Sequence, residues 1–481
     1  MQLRYIEEPS LQFGNNQHLC PKGGITEYNP FDIDLVRPDK IVLGMVGKSE
    51  SIDKICSWLD VCKRPIAAKS SKKGKRQNLN LFPAFCGFNS ETGFRSSIEY
   101  DDTYLRKINN SDFDSIHRKE LSFEESIVEI ANLYLNEIKF LSKNKSPKVI
   151  LVILHEELLK HIIEAKFKVE TDEELILNKE DEDVITANER NFRRYLKAKA
   201  MQYKIPIQIV RDQIGDPTPD MQDPATIAWN LLTAIYYKAS GTPWALIRKD
   251  GSASTCYAGI SFYQSRDKQH TQTSVAQIFN EIGKGVILRG EEIVIPKHDR
   301  TPHLTEAQSY KLLSQSLREY LEAVKQTPAR LVLHKTSNFN EAEIAGFKAA
   351  CDEFHISQFD LVTISDSSFR LYRESSYPPL RGTHLSLDKK NHVLYTRGSV
   401  PYFETYAGMY IPAPLEVKLY HYDESPNVIC DEILALTKMN WNNTQFDRKY
   451  PITIECARKV GEILKYLDEG DQMELKYSFY M

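Results

Sequence analysis

With 481 residues, the chain exceeds one ordinary core and predicts two or three domains. Apolar residues make up 41% and charged residues 27%, a globular balance that excludes wholesale disorder. A net charge of −4 excludes coating of nucleic acid through bulk charge, so any such partner needs a locally basic groove.

Residues 1–35 alternate short extended pieces with Gly, Asn and Pro, which predicts a β-hairpin region feeding a core strand. KIVLGMVG (40–47) reads as a buried strand, followed by a helix at about 50–62. AAKSSKKGKR (67–76) is expected to be a loop, either simply solvated or brushing a phosphate backbone. LFPAFCGF (81–88) reads as another strand. Ser122 followed by Glu125 has capping-box spacing and opens a helix over 122–143. KVILVILHEE (148–157) is a strongly apolar strand, and the acidic VETDEELILNKEDEDV after it a solvated connection. A basic helix at 189–203, a strand at 205–210 and a helix at 224–239 complete an alternating pattern. Such alternation implies a parallel sheet covered on both faces.

The chain turns at SGTPW near residue 240. Strands are predicted at 244–248, 255–263, 285–290, 329–336, 360–365, 392–398 and 414–421, with helices at about 304–326 and 340–355. Adjacent early strands followed by crossovers make an RNase H-like topology one of a few that fit. There is no internal repeat. Eight cysteines are scattered without a CxxC pair, which suggests reduced thiols in a cytosol and no zinc site. MQLRYIEEPSLQF lacks a signal-peptide apolar region and no run reaches the length of a membrane span, so a soluble cytoplasmic protein is expected.

RNFRRYLKAKAMQYKIPIQIVR (190–211) holds seven Lys/Arg and no acid. Tyr195 and Lys199 fall four apart on one helical face. Pro206 breaks the helix, the run IPIQIV then presents Gln208 at the start of a strand, and Lys238 follows on the next helix. A ring, two ammonium groups and an amide form a seat for a terminal phosphate and the base beside it. Each residue alone also fits an ordinary amphipathic edge or strand, and Lys197, Lys204 and Gln213 are alternative members.

Several pieces in order resemble the Argonaute family, specifically the short prokaryotic Argonautes built of MID and PIWI domains only. EEPSLQFGNNQ…GITEYNPFD is similar to the strand region leading into MID. RYLKAKAMQYKIPIQIV with TIAWNLLTAIYYKASGTPWAL resembles the MID end-binding motif and its passage into PIWI. CYAGISFY, RLVLHKTSNFNEAE, TRGSVPY and LTKMNWNNTQFDRKYPITIECARKVGEIL resemble successive PIWI segments. The resemblance implies an N-terminal strand region and Rossmann-like MID domain over 1–240, then an RNase H-like PIWI domain over 241–481. It leaves no room for a PAZ domain.

It also implies that Tyr195, Lys199, Gln208 and Lys238 hold a guide 5′-phosphate. Mg²⁺ there would be held by Gln208 and the carboxylate of Met481. The PIWI carboxylate tetrad would fall at Ser261, Lys335 and Arg458, none of them an acid, which implies binding without cleavage. A displaced metal site using Asp267, Glu291, Glu292 or Asp366 is the competing expectation. His334, Lys335, Arg381, Arg397 and Asn442 are candidates for nucleic-acid backbone contacts, with NWNNTQFD (440–447) suited to phosphate capture. The resemblance implies a guide RNA, a single-stranded DNA target and a partner bearing an APAZ domain with a TIR or sirtuin-like effector, and a higher oligomer on activation. NAD⁺ destruction during prokaryotic immunity would then be the partner's work. A subunit that never binds nucleic acid is the third expectation.

Overall fold

The computed structural model describes the chain except residues 70–77, 120, 165–186, 219–220, 249–253, 267–270, 281–282, 284, 294, 296–300, 373–378, 407–410 and 469. Most of the 67–76 loop and the acidic connection after residue 168 therefore lie outside the described residues, as does Asp267.

The chain opens with three short strands, β1 (Gln2–Tyr5), β2 (Leu11–Gln12) and β3 (Gln17–His18). The first core is a parallel sheet of β4 (Lys40–Gly47), β5 (Ser97–Glu99), β6 (Leu105–Lys107), β7 (Val149–Leu154) and β8 (Ile207–Arg211). Its order is β5-β4-β7-β8, with β6 beside β4. Every residue of β7 is buried, as expected where helices cover both faces. The helix Phe123–Asn144 begins where the spacing predicts. Ser122 N–H donates to Glu125 Oε2 at 2.8 Å and Glu125 N–H to Ser122 Oγ at 3.3 Å. The basic helix Ala187–Ala200 tightens through Met201–Tyr203, and Lys204, in the left-handed region at φ 56°, turns the chain toward Pro206 and β8. The helix Pro224–Lys238 closes this unit.

Residues 81–88 correct the sequence reading, because they form no strand. Ile66 and Phe85 make one isolated bridge. Phe85 and Phe88 are buried, and Phe85 meets Trp229 edge-on at 5.0 Å. Pro83 and Gly87 interrupt the run, so its apolar residues plug the core from a loop.

The second unit holds β9 (Ala245–Leu246), β10 (Thr255–Gln264), β11 (Thr271–Phe279), β12 (Gly285–Ile293), β13 (Arg330–Lys335), β14 (Gln358–Asp366), β15 (Thr383–Ser386), β16 (Asn391–Leu394) and β17 (Leu415–His421). Nine strands form one sheet in the order β1-β15-β16-β17-β14-β13-β10-β11-β12. β10, β11 and β12 form an antiparallel meander, while β13 runs parallel to β10 and β14 to β13. This is the RNase H-like arrangement. The alternation of side chains shows which helices cover which face. Ala258, Ile260, Leu331 and Leu333 pack with Leu317 and Phe347 from the helices Glu306–Val324 and Glu341–Glu353. Tyr257, Val332, Val362 and Ile364 pack on the other face with Ile454 and Val460 of the helix Ile452–Leu464.

The opening strands do not feed the first core. β1 lies antiparallel to β15, with Leu3 opposite Leu385, so it belongs to the second sheet, and β2 joins β3 and β9 in a small third sheet. Glu8 anchors this connection between Arg381 at 2.7 Å and Lys438 at 2.8 Å, all three buried. Burial alone would raise the Glu8 carboxyl, but the two cations outweigh it and hold it below its ordinary range.

Candidate nucleic-acid end-binding site

Lys238 sits at the last turn of its helix and is 3% exposed. Its ammonium donates to the carbonyl of Ile207 at 3.0 Å and to that of Met481 at 2.8 Å. Burial, and then the nearby Lys197 and Lys459 ammonium groups, pull it well below the ordinary lysine value. Lys238 thus ties the β8 start to the buried Met481, while Lys459, whose charge also acts on it, lies 3.3 Å from Glu455. One residue along the strand, Gln208 has a buried Oε1 with no hydrogen-bond partner, while its Nε2 reaches only the Ile209 carbonyl at 3.5 Å. An unused amide oxygen suits an oxygen-seeking cation, and the Lys238 amine suits an anion. Together they fit a metal only once phosphate charge is present.

Tyr195 and Lys199 share a face of the basic helix as predicted, but their contacts run to the second unit. Tyr195 meets Tyr466 edge-on, centroids 6.2 Å apart. Lys199 Nζ bonds the carboxylates of Asp468 and Asp471, the latter at 2.7 Å. Burial pulls this ammonium down, but the two acids outweigh it and raise it above its usual value. The four expected residues therefore fall into two groups, Gln208 and Lys238 at β8, and Tyr195 with Lys199 against Tyr466, Asp468 and Asp471. Lys197, an alternative by sequence, joins the Lys238 group, and Lys459 was not singled out by any motif.

On the second sheet, register decides which side chains could meet a metal. Gly259 pairs with His334 and Ile260 with Lys335. His334 Nδ1 lies 2.8 Å from Thr453 Oγ1, on the face covered by Ile452–Leu464. Lys335 points the other way, is fully buried, and bonds Glu343. Ser261, two along from Gly259, shares its face, from which Lys335 points away. Lys335 thus does not face Ser261, and the residue that follows it, Thr336, is also not an acid. Arg458 lies over the Tyr450 ring at 4.2 Å. Asp366, at the end of β14, bonds Tyr450 and pairs with Lys449 at 3.0 Å. Glu291 and Glu292 lie on β12, four strands from Asp366 and thus about 19 Å away. These acids cannot share one ion.

No protein-family model matches the chain. Over 356 residues it is 24% identical to the Argonaute protein of Aquifex aeolicus (strain VF5), covering 73% of this chain and 47% of that protein. The structure of Clostridium butyricum Argonaute bound to a guide DNA and a 19-mer target DNA superposes with TM-score 0.65 at 16% identity, covering 99% of this chain and 55% of that one. Drosophila Piwi superposes with TM-score 0.60 at 11% identity, covering 99% and 56%. Marinitoga piezophila Argonaute in complex with 5′ OH guide RNA gives 0.56 at 12%, covering 100% and 59%. The chain is similar to Argonaute proteins in sequence and in fold. It spans about half the length of the relatives it matches, and its fold is that of a MID-like unit followed by a PIWI-like unit.

Two of the expected backbone contacts in the PIWI-like unit are corrected. Lys335 is sealed in the core with Glu343, 4.7 Å from the centre of the Phe339 ring. Arg381, 1% exposed, donates to Glu8, to the Thr396 and Leu434 carbonyls and to Thr437 Oγ1. Neither can touch a phosphate. His334 is also buried, and burial followed by the Arg330 charge pulls it to about 3, so it stays neutral. Arg397 is 7% exposed and donates to the Asp447 carbonyl at 3.0 Å. Asn442 is half-buried, its N–H on Asn440 Oδ1 at 2.9 Å. Among the described residues, His384, His392 and Cys430 form a compact buried cluster. Its rings are already committed, since Arg4 Nε donates to His384 Nδ1 at 2.8 Å and His392 Nδ1 lies 3.1 Å from Ser386 Oγ. A guanidinium against the first ring opposes a cation there. Among the described residues, no helix is long and apolar enough to cross a membrane.

Proposed function

We propose that the chain holds the 5′-phosphorylated end of a guide RNA in the MID-like unit and presents it for pairing with single-stranded DNA along the PIWI-like unit, without cutting the target. The observation that carries this reading is the unpartnered buried Oε1 of Gln208 on β8, one residue from the Ile207 carbonyl that Lys238 holds together with a Met481 oxygen. Lys238 has only carbonyl acceptors, and a terminal phosphate would give its ammonium the charge partner that they do not supply. Gln208 and Met481 would hold Mg²⁺, which would supply positive charge against the phosphate. Tyr195 would face the first base. The other nucleotides would be read by helix shape and base pairing, so sequence specificity belongs to the guide.

The lack of an acid at Ser261, Lys335 and Arg458, the positions that the resemblance assigns to the carboxylates, supports a non-cleaving role, because a hydroxyl, an ammonium and a guanidinium do not hold two cations. Resemblance to the short Argonautes supports the further step, in which pairing activates a separate APAZ-bearing partner with a TIR or sirtuin-like NAD⁺-consuming effector. Immunity by NAD⁺ depletion of the cell would follow.

The test uses the full chain with 5′-phosphorylated and 5′-hydroxyl RNA of one sequence. Lys238→Ala should weaken binding of the phosphorylated RNA by about 1–3 kcal/mol and leave the hydroxyl form nearly unchanged. Labelled target should survive incubation with guide-loaded protein in Mg²⁺ or Mn²⁺. Equal affinity for the two RNAs in both proteins would remove the end-binding reading, and cut target would remove the non-cleaving one.

A further inference from the structure

Tyr195 and Lys199 both have partners in the free chain, and both partners come from one stretch of the PIWI-like unit. The Tyr466 ring lies against Tyr195, its centroid 6.2 Å away, and the Arg266 guanidinium lies 5.3 Å from the centre of the same ring. Asp468 and Asp471 both bond Lys199 Nζ. Asp468 N–H also donates to Asp471 Oδ2 at 2.9 Å, which draws the two acids together. An aromatic ring on the tyrosine and two carboxylates on the lysine reproduce what a terminal base and its phosphate would offer those two side chains.

We propose that Tyr466, Asp468 and Asp471 form an internal competitor for the oligonucleotide end, which a terminal phosphate monoester must displace before the end is seated. This rests on the end-binding reading above and adds the residues that set its threshold. The charges match. Two carboxylates carry −2, and a terminal phosphate carries about −1.5 to −2 at neutral pH with three acceptor oxygens. An internal phosphodiester carries one charge and gains too little from Lys199 to replace both acids. Release is feasible because the Asp468 side chain is 82% exposed, so water takes over its solvation. Lys199, at 15%, stands in the more protected position and gives a captured phosphate a stronger field. Affinity for the end is reduced by the fraction of chains in which the competitor is in place.

The experiment measures binding of 5′-phosphorylated and 5′-hydroxyl RNA to the full chain. It compares the parent with Asp468→Asn/Asp471→Asn, Lys199→Ala and the triple variant, all checked for unchanged thermal unfolding. The paired Asn variant should bind phosphorylated RNA about tenfold more tightly, as expected for freeing a site closed nine-tenths of the time. The gain for hydroxyl RNA should be smaller, and the gain for phosphorylated RNA should vanish in the Lys199→Ala background. If the paired variant binds phosphorylated RNA no better than the parent, or keeps its gain without Lys199, the competitor is refuted while end binding stands. If the parent shows no phosphate preference at all, both readings fall.

Discussion

Lys335 shows how a single side chain can be placed in the right strand and on the wrong face. By sequence it seemed poised for a phosphate or for an emptied metal site, yet its ammonium is shut in with Glu343. Burial pulls that ammonium below its usual value and the Glu343 charge opposes the shift. Lys335→Met should therefore destabilise the fold by about 3–5 kcal/mol in urea unfolding, because Glu343 loses its counter-charge, with RNA affinity unchanged in the variant that remains folded. A loss of RNA affinity without loss of stability would contradict this placement. The error has a physical cause. All six residues of β13 are buried, so hydrophobic alternation gives no sign of which face each uses. Lys238 was legible because a helix start, a break at Pro206 and a second helix fixed its place. Tyr466, Asp468 and Asp471 were not, since no local pattern announces a contact made 269 residues away from Lys199.

At the scale of elements, the long helices and β4, β7 and β10 could be read because their apolar periods and caps are strong. β15 could not, because four residues, three of them polar, carry too little period. The helices Pro426–Leu436 and Ile452–Leu464 lay within segments legible only by resemblance. The second of them approaches β10 closely at Gly259, where an added methyl would stand 2.2 Å from the Thr453 carbonyl oxygen. Gly259→Ala should thus push helix and strand apart, costing about 1–3 kcal/mol and loosening the face that carries Ser261. A melting midpoint equal to the parent's would show that the helix can yield without cost.

The whole molecule should lose stability as the solution is acidified. His334 and His384 are held neutral in the fold, at about 3 and about 4, with burial the leading cause for each. Once unfolded, both take up protons near pH 6.5. Their contribution is intact above about 6.5 and declines as pH falls toward 4 and 3, by up to about 1.4 kcal/mol per pH unit for each ring. Urea midpoints should drop between pH 7 and pH 5, and His334→Gln should flatten that slope. A midpoint that rises toward pH 5 would contradict the assignment.

The pairing of β1 with β15 also governs when the protein can be completed during translation. Arg4 meets His384 across 380 positions, so β1 waits for a segment that is made much later. At roughly 5–20 residues per second that interval is about 20–80 s, during which an aliphatic edge at Leu3 stays unzipped. A chaperone that shields nascent β-edges would raise the yield of this polypeptide more than one that acts after release.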